Sequence, residues 1–329
     1  MVAVSMTTRP HDALIKAALA APEDAAPLLR ELLPHAVREA VAWETLEREP
    51  PSLVDPRLTD RHGDLLFSVR IRTGETGRLY LLLEHQSSGD AAMPLRALSF
   101  QTRLWERCRI EQPDEPLPPI IAVLVSHVRG GWTDARSLDE LLDPAAVTIP
   151  GLAGLVPRCA MIVEDLAHRS NDELKGRALA PFQQLVLWLL RDARDPARLL
   201  DNFDHWSAEL IEVQAGQERW GIDRFAVLIT YLYRVVDPVT LDEIRAKLRK
   251  LGPGPEEAAM TAAEYLHEQG RAEGRAEGRI DTLRRLLILK FQSLDAASEA
   301  RLKAATPEMI DRYLQRVLVA DSLAAVFED

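Results

Sequence analysis

The segment HGDLLFSVRIRTGETGRLYLLLEHQSS, residues 62–88, decides the fold of this chain. Residues 65–71 and 79–83 are rich in apolar side chains that strands favour, and Gly74 and Gly77 lie in the polar connection between them. Short apolar runs that flank a glycine-containing connection are typical of paired strands. The segment therefore predicts a β-hairpin.

Three polar residues flank this hairpin at one end. If Glu75 is the middle of the connection, antiparallel pairing places Asp64 opposite Gln86. Glu84 is then diagonally across from Asp64, and the three side chains share one face because side chains alternate along a strand. Diagonal neighbours are about 7–8 Å apart at the backbone, so the two carboxylates could converge on one metal ion. A register slip of one residue would move Asp64 to the other face.

The apolar flanks make these carboxylates informative. A carboxylate at the end of an apolar strand is costly to desolvate unless it pairs with a cation or binds a metal. Asp64 and Glu84 are therefore either ordinary strand-end acids paired with arginines or members of a metal site. The presence of Gln86 beside them favours the site.

Four stretches of the chain resemble a known family: HDALIK at 11–16, SLVDPRL at 52–58, HGDLLF at 62–67 and LLLEHQSSGDAAMPLRAL at 81–98. They resemble the Rpn family of recombination-promoting nucleases, also described as YhgA-like transposases, within the PD-(D/E)XK nuclease superfamily. The resemblance covers roughly residues 10 to 250. It implies an α/β fold with a restriction-endonuclease-like mixed-sheet core, flanking helices and a helical C-terminal extension. The implied function is a metal-dependent DNA endonuclease linked to recombination or mobile elements.

The resemblance also implies roles for the three polar residues. The superfamily pattern, an aspartate on one strand and E-x-K on the next, corresponds to Asp64, Glu84 and Gln86. Asp64 and Glu84 would hold Mg²⁺ or Mn²⁺, and Gln86 would orient the attacking water. Because glutamine cannot supply the positive charge of the usual lysine, catalysis would depend strongly on the metal ion.

Several basic residues are candidates for contacting DNA. Arg96, Arg103 and Arg107 recur at spacings of seven and four on the helix predicted after the hairpin, so they form one stripe that could track a phosphate backbone. Lys16, on the first predicted helix, could also contribute to the site, as could Asp12. The alternatives are a solvated face or ion pairs with nearby glutamates for the arginines, and an intrahelical pair for Asp12 and Lys16.

The rest of the sequence predicts a mixed-sheet α/β core. Helices are predicted within residues 12–48 and over residues 91–110, strands over 120–125 and 159–166, and further helices over 172–251. His127 follows one of these strands and is interpreted as a hydrogen-bonded edge residue more readily than as a proton shuttle.

Composition limits the class of function. The chain has 329 residues and a formal net charge of −11, which disfavours a simple nucleic-acid coat protein. No signal peptide, membrane span, disulfide framework or zinc motif is expected, so the expected location is the cytoplasm. The acidic balance and the missing lysine leave an alternative to the nuclease: a non-catalytic scaffold or DNA-binding accessory protein of a mobile element.

The predicted organisation has four parts. These are a nuclease-like core at 1–171, a helical part packed on it at 172–251, a linker and Gly/Arg/Glu repeat helix at 252–282, and a small helical segment at 283–329. In the repeat, residues 270–279, glycines recur every four residues. Two such helices could pack through the glycines and form a homo-oligomer, or the repeat could be a flexible linker.

Overall fold

A five-stranded mixed sheet is the centre of the fold. The computed structural model of the protein describes residues 10–50, 65–72, 78–216 and 224–327. The sheet has the order β1-β2-β3-β4-β5; β1, β2 and β3 pair antiparallel, and β3, β4 and β5 pair parallel. The strands are β1 (Val41–Arg48), β2 (Leu65–Ile71), β3 (Arg78–Gln86), β4 (Ile120–Ser126) and β5 (Met161–Asp165).

Helices surround this sheet and form the C-terminal extension, which confirms the predicted α/β class. Proline stands in the first turn of α4, α7 and α8, where its missing N–H leaves no helical hydrogen bond unmade. In the described residues the helices are α1 (Pro10–Leu19), α2 (Pro22–Leu32), α3 (His35–Ala40), α4 (Met93–Glu111), α5 (Pro144–Val147), α6 (Asn171–Lys175), α7 (Pro181–Asp192), α8 (Pro196–Phe203), α9 (Ser207–Ala215), α10 (Arg224–Val235), α11 (Pro238–Leu251), α12 (Pro253–Phe291), α13 (Ala296–Ala304), α14 (Pro307–Val319) and α15 (Leu323–Val326).

The predicted hairpin strands are present, but their predicted register is wrong by two residues. Leu65 pairs with Leu83, whereas a turn centred on Glu75 would pair Leu65 with His85. The observed register sets the apolar runs 65–69 and 79–83 directly opposite each other, so apolar matching outweighs the centre of the connection. A shift of two preserves the alternation of faces. Asp64 lies outside the described residues.

The first strand is a correction to the predicted helices of residues 12–48. Helices end at Ala40, and residues 41–48 form β1 along the edge of the sheet. Val41 and Trp43 are buried, and the N–H of Arg70 on β2 donates to Thr45 Oγ1 at 3.0 Å. Pairing with a neighbouring strand, which a local pattern cannot report, therefore decides the conformation of this segment.

The two faces of the sheet are covered by different helices. On one face, Ala97, Phe100 and Leu104 of α4 belong to apolar clusters with residues of β2, β3 and β4. On the other face, α1 packs against α7 and α10, and its Asp12 reaches His85 of β3. Successive residues of β3 therefore face different sets of helices.

The chain divides into two compact units, Met1–Ala259 and Met260–Asp329, and the division falls within α12. Gly252, with φ of +125°, follows α11, and α12 begins at the next residue. The segment predicted to begin with a linker is therefore helical from residue 253 onward; the four-part division itself stays a prediction. The second unit has its own apolar core, formed by Leu283, Leu287, Leu302, Ile310, Tyr313, Val317, Val326 and Phe327. Among the described residues, no helix combines the length and the apolar character needed to cross a membrane.

Candidate active site at the carboxyl end of strand β3

Glu84 is a buried carboxylate near the end of a central strand. It is 6% exposed and pairs with Leu124 of β4 in the parallel register. Its Oε1 accepts hydrogen bonds from Arg96 Nη2 at 2.6 Å and from Gln86 Nε2 at 3.1 Å. Arg96 Nη1 in turn donates to Asp90 Oδ2 at 2.5 Å. The structure thus brings Glu84, Gln86 and Arg96 into one hydrogen-bonded group.

The electrostatics of Glu84 result from opposing effects. Burial raises the pKa of its carboxyl group, because the charged form loses hydration. The Arg96 charge and the hydrogen bond from Gln86 act in the opposite direction. Buried acids with raised pKa values and specific partners are frequent at functional sites. Glu84 is therefore a candidate functional residue. Its carboxylate is also bound by Arg96 and Gln86.

The site lies at the edge where three parallel strands end. Gln86 pairs with Ser126 of β4, and Ser126 pairs with Asp165 of β5. Carboxyl ends of parallel strands are the usual position of ligand sites in α/β sheets. Since Gln86 Nε2 donates to Glu84, the Gln86 amide oxygen points elsewhere and can accept a hydrogen bond or bind a cation.

The predicted basic residues have different surroundings. Arg96, predicted to contact phosphate, pairs with Glu84 and Asp90. Arg107 pairs with Glu111 one turn later at 2.6 Å, as the alternative interpretation expected. Arg103 is half-buried on α4, and Lys16 is half-buried on α1. Their proposed contacts with DNA stay predictions.

A cluster of three histidines lies next to the site, on the side of β3 where α1 packs. His85 Nε2 is 2.8 Å from Asp12 Oδ1, and the rings of His85 and His127 are stacked with centroids 6.0 Å apart. His11 contacts His127 edge-on at 4.7 Å between centroids and shares a hydrogen bond of 2.9 Å with the Tyr231 hydroxyl. This cluster joins α1 and α10 to the strand that carries Glu84.

Sequence reasoning considered His127 alone and missed the cluster. One signal was available: His85 lies between Glu84 and Gln86, so alternation sends it to the opposite face. The partners come from residues 11, 127 and 231, which no local pattern connects. The cluster is therefore a product of the tertiary fold.

The ends of β3 and β4 are held by one arginine. Arg194 donates to the Ser87 carbonyl at 2.8 Å and to the His127 carbonyl, and its Nη2 is 3.5 Å from His127 Nδ1. Burial lowers the pKa of Arg194. Because Ser87 follows Gln86 directly, Arg194 fixes the backbone that carries the candidate site.

Two histidines of the cluster are held neutral at physiological pH. Burial, followed by the Arg194 and His85 charges, lowers the pKa of His11 to about 4, although Asp12 opposes the shift. Burial also lowers the pKa of His127 well below its usual value, and the neighbouring His11, His85 and Arg194 add to the effect. Both imidazoles must take up a proton when the chain unfolds near pH 5.

The unfolding free energy is therefore expected to fall between about pH 7 and pH 5. In this range the unfolded His11, with a pKa near 6.5, binds more protons than the folded residue with a pKa of about 4, so protonation favours the unfolded state. His11 alone should contribute a loss of about 2 kcal/mol over this interval. Urea unfolding at several pH values measures the effect.

A pair of asparagine variants provides the control for this pH dependence. His11→Asn should make the profile shallower, with the remaining slope left to His127, whereas His35→Asn, which replaces an exposed histidine, should leave it unchanged. Equal slopes for the two variants would show that His11 is not held neutral in the fold.

The described residues contain no group of three or more histidine, cysteine, aspartate or glutamate side chains arranged to hold a metal ion. Of the two carboxylates predicted to hold a metal ion, Glu84 lies at this edge of the sheet, and Asp64 is outside the described residues. The metal site therefore stays a prediction that rests on both acids.

Comparison with known proteins points to one family. The sequence profile of the family described as "Putative transposase, YhgA-like" matches residues 9–220. The recombination-promoting nuclease RpnD of Escherichia coli O157:H7 is 28% identical over 264 residues, which cover 79% of this chain and 95% of RpnD. No solved structure gives a significant match.

Two further relatives from Escherichia coli K12 differ in what their names state. The recombination-promoting nuclease RpnA is 24% identical over 266 residues, which cover 80% of this chain and 85% of RpnA. The inactive recombination-promoting nuclease-like protein RpnE is 27% identical over 271 residues, covering 81% of this chain and 84% of RpnE. Overall identity therefore does not separate relatives named nucleases from one named inactive.

Proposed function

Since the chain belongs to the YhgA-like transposase family, we propose that it is a metal-dependent DNA endonuclease whose active site lies at the carboxyl end of β3. The observation that carries the proposal is the buried Glu84 carboxylate, with its raised pKa, beside Gln86 at this edge of the sheet. The relatives named recombination-promoting nucleases support the reaction class. The substrate in this proposal is DNA, and the setting is recombination or mobile-element biology.

The donor atoms at this edge fit a magnesium or manganese ion. Glu84 provides carboxylate oxygen and Gln86 provides an amide oxygen, and Mg²⁺ prefers oxygen ligands. Asp64, which directly precedes Leu65 in the sequence, is the second carboxylate predicted for this site. We infer that Asp64 and Glu84 hold the ion. When bound, Mg²⁺ acts as a Lewis acid and lowers the pKa of a coordinated water.

The chain's own residues have separate roles in this proposal. Ionised Glu84 binds the ion, and Gln86, which is already hydrogen-bonded to Glu84, orients the attacking water through its amide. Arg96 balances the Glu84 charge before substrate binds and then turns toward the scissile phosphate, which a guanidinium binds well. Arg194 keeps the end of β3 in position through the Ser87 carbonyl.

The predicted phosphate track along α4 belongs to the same proposal. Arg103 and Arg107 would contact the DNA backbone beyond the cleavage site, and Lys16 would contact it from α1. Arg107 must exchange its pair with Glu111 for a phosphate, which costs little because exposed ion pairs contribute about 0–1 kcal/mol.

The alternative is a non-catalytic scaffold or DNA-binding accessory protein. The pair between Arg96 and Glu84 favours it, because the guanidinium already compensates the buried carboxylate without a metal ion. The name of the inactive relative RpnE points in the same direction. Binding of a divalent ion at Glu84 discriminates between the two functions, since the scaffold does not require it.

We also propose that the protein forms a homo-oligomer through its C-terminal helices. The second unit has its own apolar core, yet Leu289, Leu318 and Val319 on its surface are 78%, 72% and 79% exposed. A second copy of the chain would cover such side chains. Two copies would bring two single-strand cleavage sites to one duplex.

Plasmid nicking tests the proposed activity. The purified protein should nick supercoiled DNA with Mg²⁺ or Mn²⁺ and should not nick it with excess EDTA. The Asp64→Asn variant should lose at least about 100-fold in rate, because a neutral amide holds a divalent ion less well than a carboxylate.

Asp114→Asn is the matched control, since it removes an exposed carboxylate from the loop after α4. It should nick at the rate of the unmodified protein. Nicking by Asp64→Asn at that same rate would exclude Asp64 from the site, and an absence of nicking with either ion would favour the scaffold function.

A further inference from the structure

A cavity of about 610 Å³ lies between α2, α3, the start of β1, the end of β2 and the turn after α6. The charged residues that line it are four arginines and two glutamates: Arg30, Glu31, Arg38, Glu39, Arg72 and Arg177. Its volume is in the range that holds a small-molecule ligand, about 300–1,000 Å³. The cavity is large enough for a molecule of nucleotide size.

The part of this cavity lined by Trp43 and Arg72 is at the end of β2 far from the candidate active site. Val41 pairs with Ile71 at the cavity end, where Trp43 and Arg72 line the wall. Leu65, at the other end of β2, pairs with the residue that precedes Glu84. The length of β2 separates the two places by roughly 20 Å. The Arg177 side of the cavity reaches Glu164, which pairs with Val125 in register with His85, so this side lies on the face of the sheet opposite the Glu84 side chain.

The charge of the lining favours an anion. The lining has four arginines and two glutamates, and two of these arginines, Arg72 and Arg177, also pair with Glu44 and Glu164 outside the lining. A local excess of positive charge in a concave surface raises the concentration of anions there. One guanidinium group can donate two parallel hydrogen bonds to two oxygens of a phosphate, and its positive charge complements the negative charge of the phosphate.

Arg177 gives the cavity a buried cationic wall. It is 7% exposed, and its Nη2 donates to the buried Glu164 carboxylate of β5. Its Nε is 3.5 Å from Glu31 Oε1, and its buried Nη1 has no hydrogen-bond partner within the described part of the chain. A buried donor without a partner is costly, and an anion in the adjacent cavity can provide one.

Trp43 organises the arginines at the mouth of the cavity. The Arg30 guanidinium lies over the Trp43 ring at 5.4 Å from its centroid, and the Trp43 Nε1–H donates to the Arg38 carbonyl at 3.0 Å. Arg38 is 3.8 Å from Glu39 and Arg72 is 3.4 Å from Glu44, and both are exposed pairs of low energy. These arginines can exchange their carboxylates for a ligand at little cost.

We propose that this cavity binds a small phosphate-bearing ligand, a phosphate monoester of the nucleotide class, through Arg30, Arg38 and Arg72 at its mouth and Arg177 in its wall. A phosphate monoester dianion carries three terminal oxygens and so matches several guanidinium groups at once. The same group occurs on free nucleotides and on the 5′ end of a DNA strand. The site is independent of catalysis at Glu84.

Calorimetric titration of the full-length protein tests this binding with inorganic phosphate, pyrophosphate, adenosine monophosphate and adenosine as probes. The phosphate-bearing probes should bind and adenosine should not. The double variant Arg38→Gln/Arg72→Gln should weaken binding at least tenfold, whereas Arg245→Gln, which removes an exposed arginine of α11, should leave it unchanged. The single variant Arg30→Gln, at an exposed position, should also weaken binding. It provides the test if the double variant does not fold.

A short oligonucleotide with and without a 5′ phosphate separates the two sources of the ligand. Preference for the free nucleotide assigns the site to a small molecule, and preference for the phosphorylated end assigns it to a DNA terminus; both support the proposal. Phosphate binding unchanged by the arginine variants, or no binding at millimolar concentrations, would overturn it. The proposal would also be overturned if the arginine variants bound the oligonucleotide more weakly whether or not it carries a 5′ phosphate. The arginines would then contact the DNA backbone.

Discussion

Replacing Glu84 with Gln should reduce metal-dependent DNA cleavage by about 100-fold or more, because in the proposed site the substitution removes the charge that would hold the ion and keeps the shape of the side chain. The fold should survive. Burial disfavours the charged form of Glu84, so a neutral amide there avoids the desolvation cost, and Arg96 retains Asp90 as a partner. Initial rates of plasmid nicking, together with thermal unfolding of the same samples, measure both effects.

Glu111→Gln is the matched control for Glu84→Gln. It also converts a glutamate paired with an arginine into glutamine, but on the exposed surface of α4. The control should nick at an unchanged rate and unfold at an unchanged temperature. A Glu84→Gln protein that is folded and nicks at the same rate as this control would remove Glu84 from the active site.

Replacing Asp192 with Ala should destabilise the protein by about 3–5 kcal/mol, because it leaves a buried arginine without its carboxylate. Asp192 is fully buried and accepts two hydrogen bonds from Arg191, at 2.7 Å each, and one from Asn202 at 2.9 Å. Arg198 Nε also lies 3.0 Å from it. The measurement is urea unfolding at neutral pH.

The functional consequence of this variant follows from its place in the chain. Asp192 ends α7, two residues before Arg194, which holds the carbonyl groups of Ser87 and His127. Nicking by Asp192→Ala should therefore fall at temperatures where the protein remains folded. Asp201→Ala, at an exposed position of α8, should change neither stability nor nicking. A loss of less than about 1 kcal/mol in Asp192→Ala would show that Arg191 does not depend on this carboxylate.

The central strands could be predicted because their signal is local. Residues 65–71 are a strand with the predicted limits, and the strand predicted at 120–125 extends by one residue to Ser126. Each is a short run rich in apolar residues that strands favour, and such a short length favours a strand over a helix. The faces of β3 also followed from the sequence, since alternation depends only on residue number.

What the sequence could not supply is pairing over a distance. The hairpin register depends on how two apolar runs match, and the edge strand β1 depends on β2 as a neighbour. Arg96 was predicted to face phosphate, and its pair with Glu84 depends on how α4 packs against β3. His85 finds Asp12, more than seventy residues away, only in the folded chain. These contacts surround the candidate site. The sequence therefore indicated which residues belong to the site more readily than which partners they pair with.

Binding of Mn²⁺ to the full-length protein in the absence of DNA tests the central claim most directly. Titration calorimetry should compare the unmodified protein with Glu84→Gln and with the control Glu111→Gln at neutral pH. A metal-dependent nuclease with its site at β3 predicts that Glu84→Gln binds Mn²⁺ at least tenfold more weakly and that Glu111→Gln binds it normally. Equal affinity in all three proteins, or no binding in the unmodified one, would contradict the claim and favour the scaffold function.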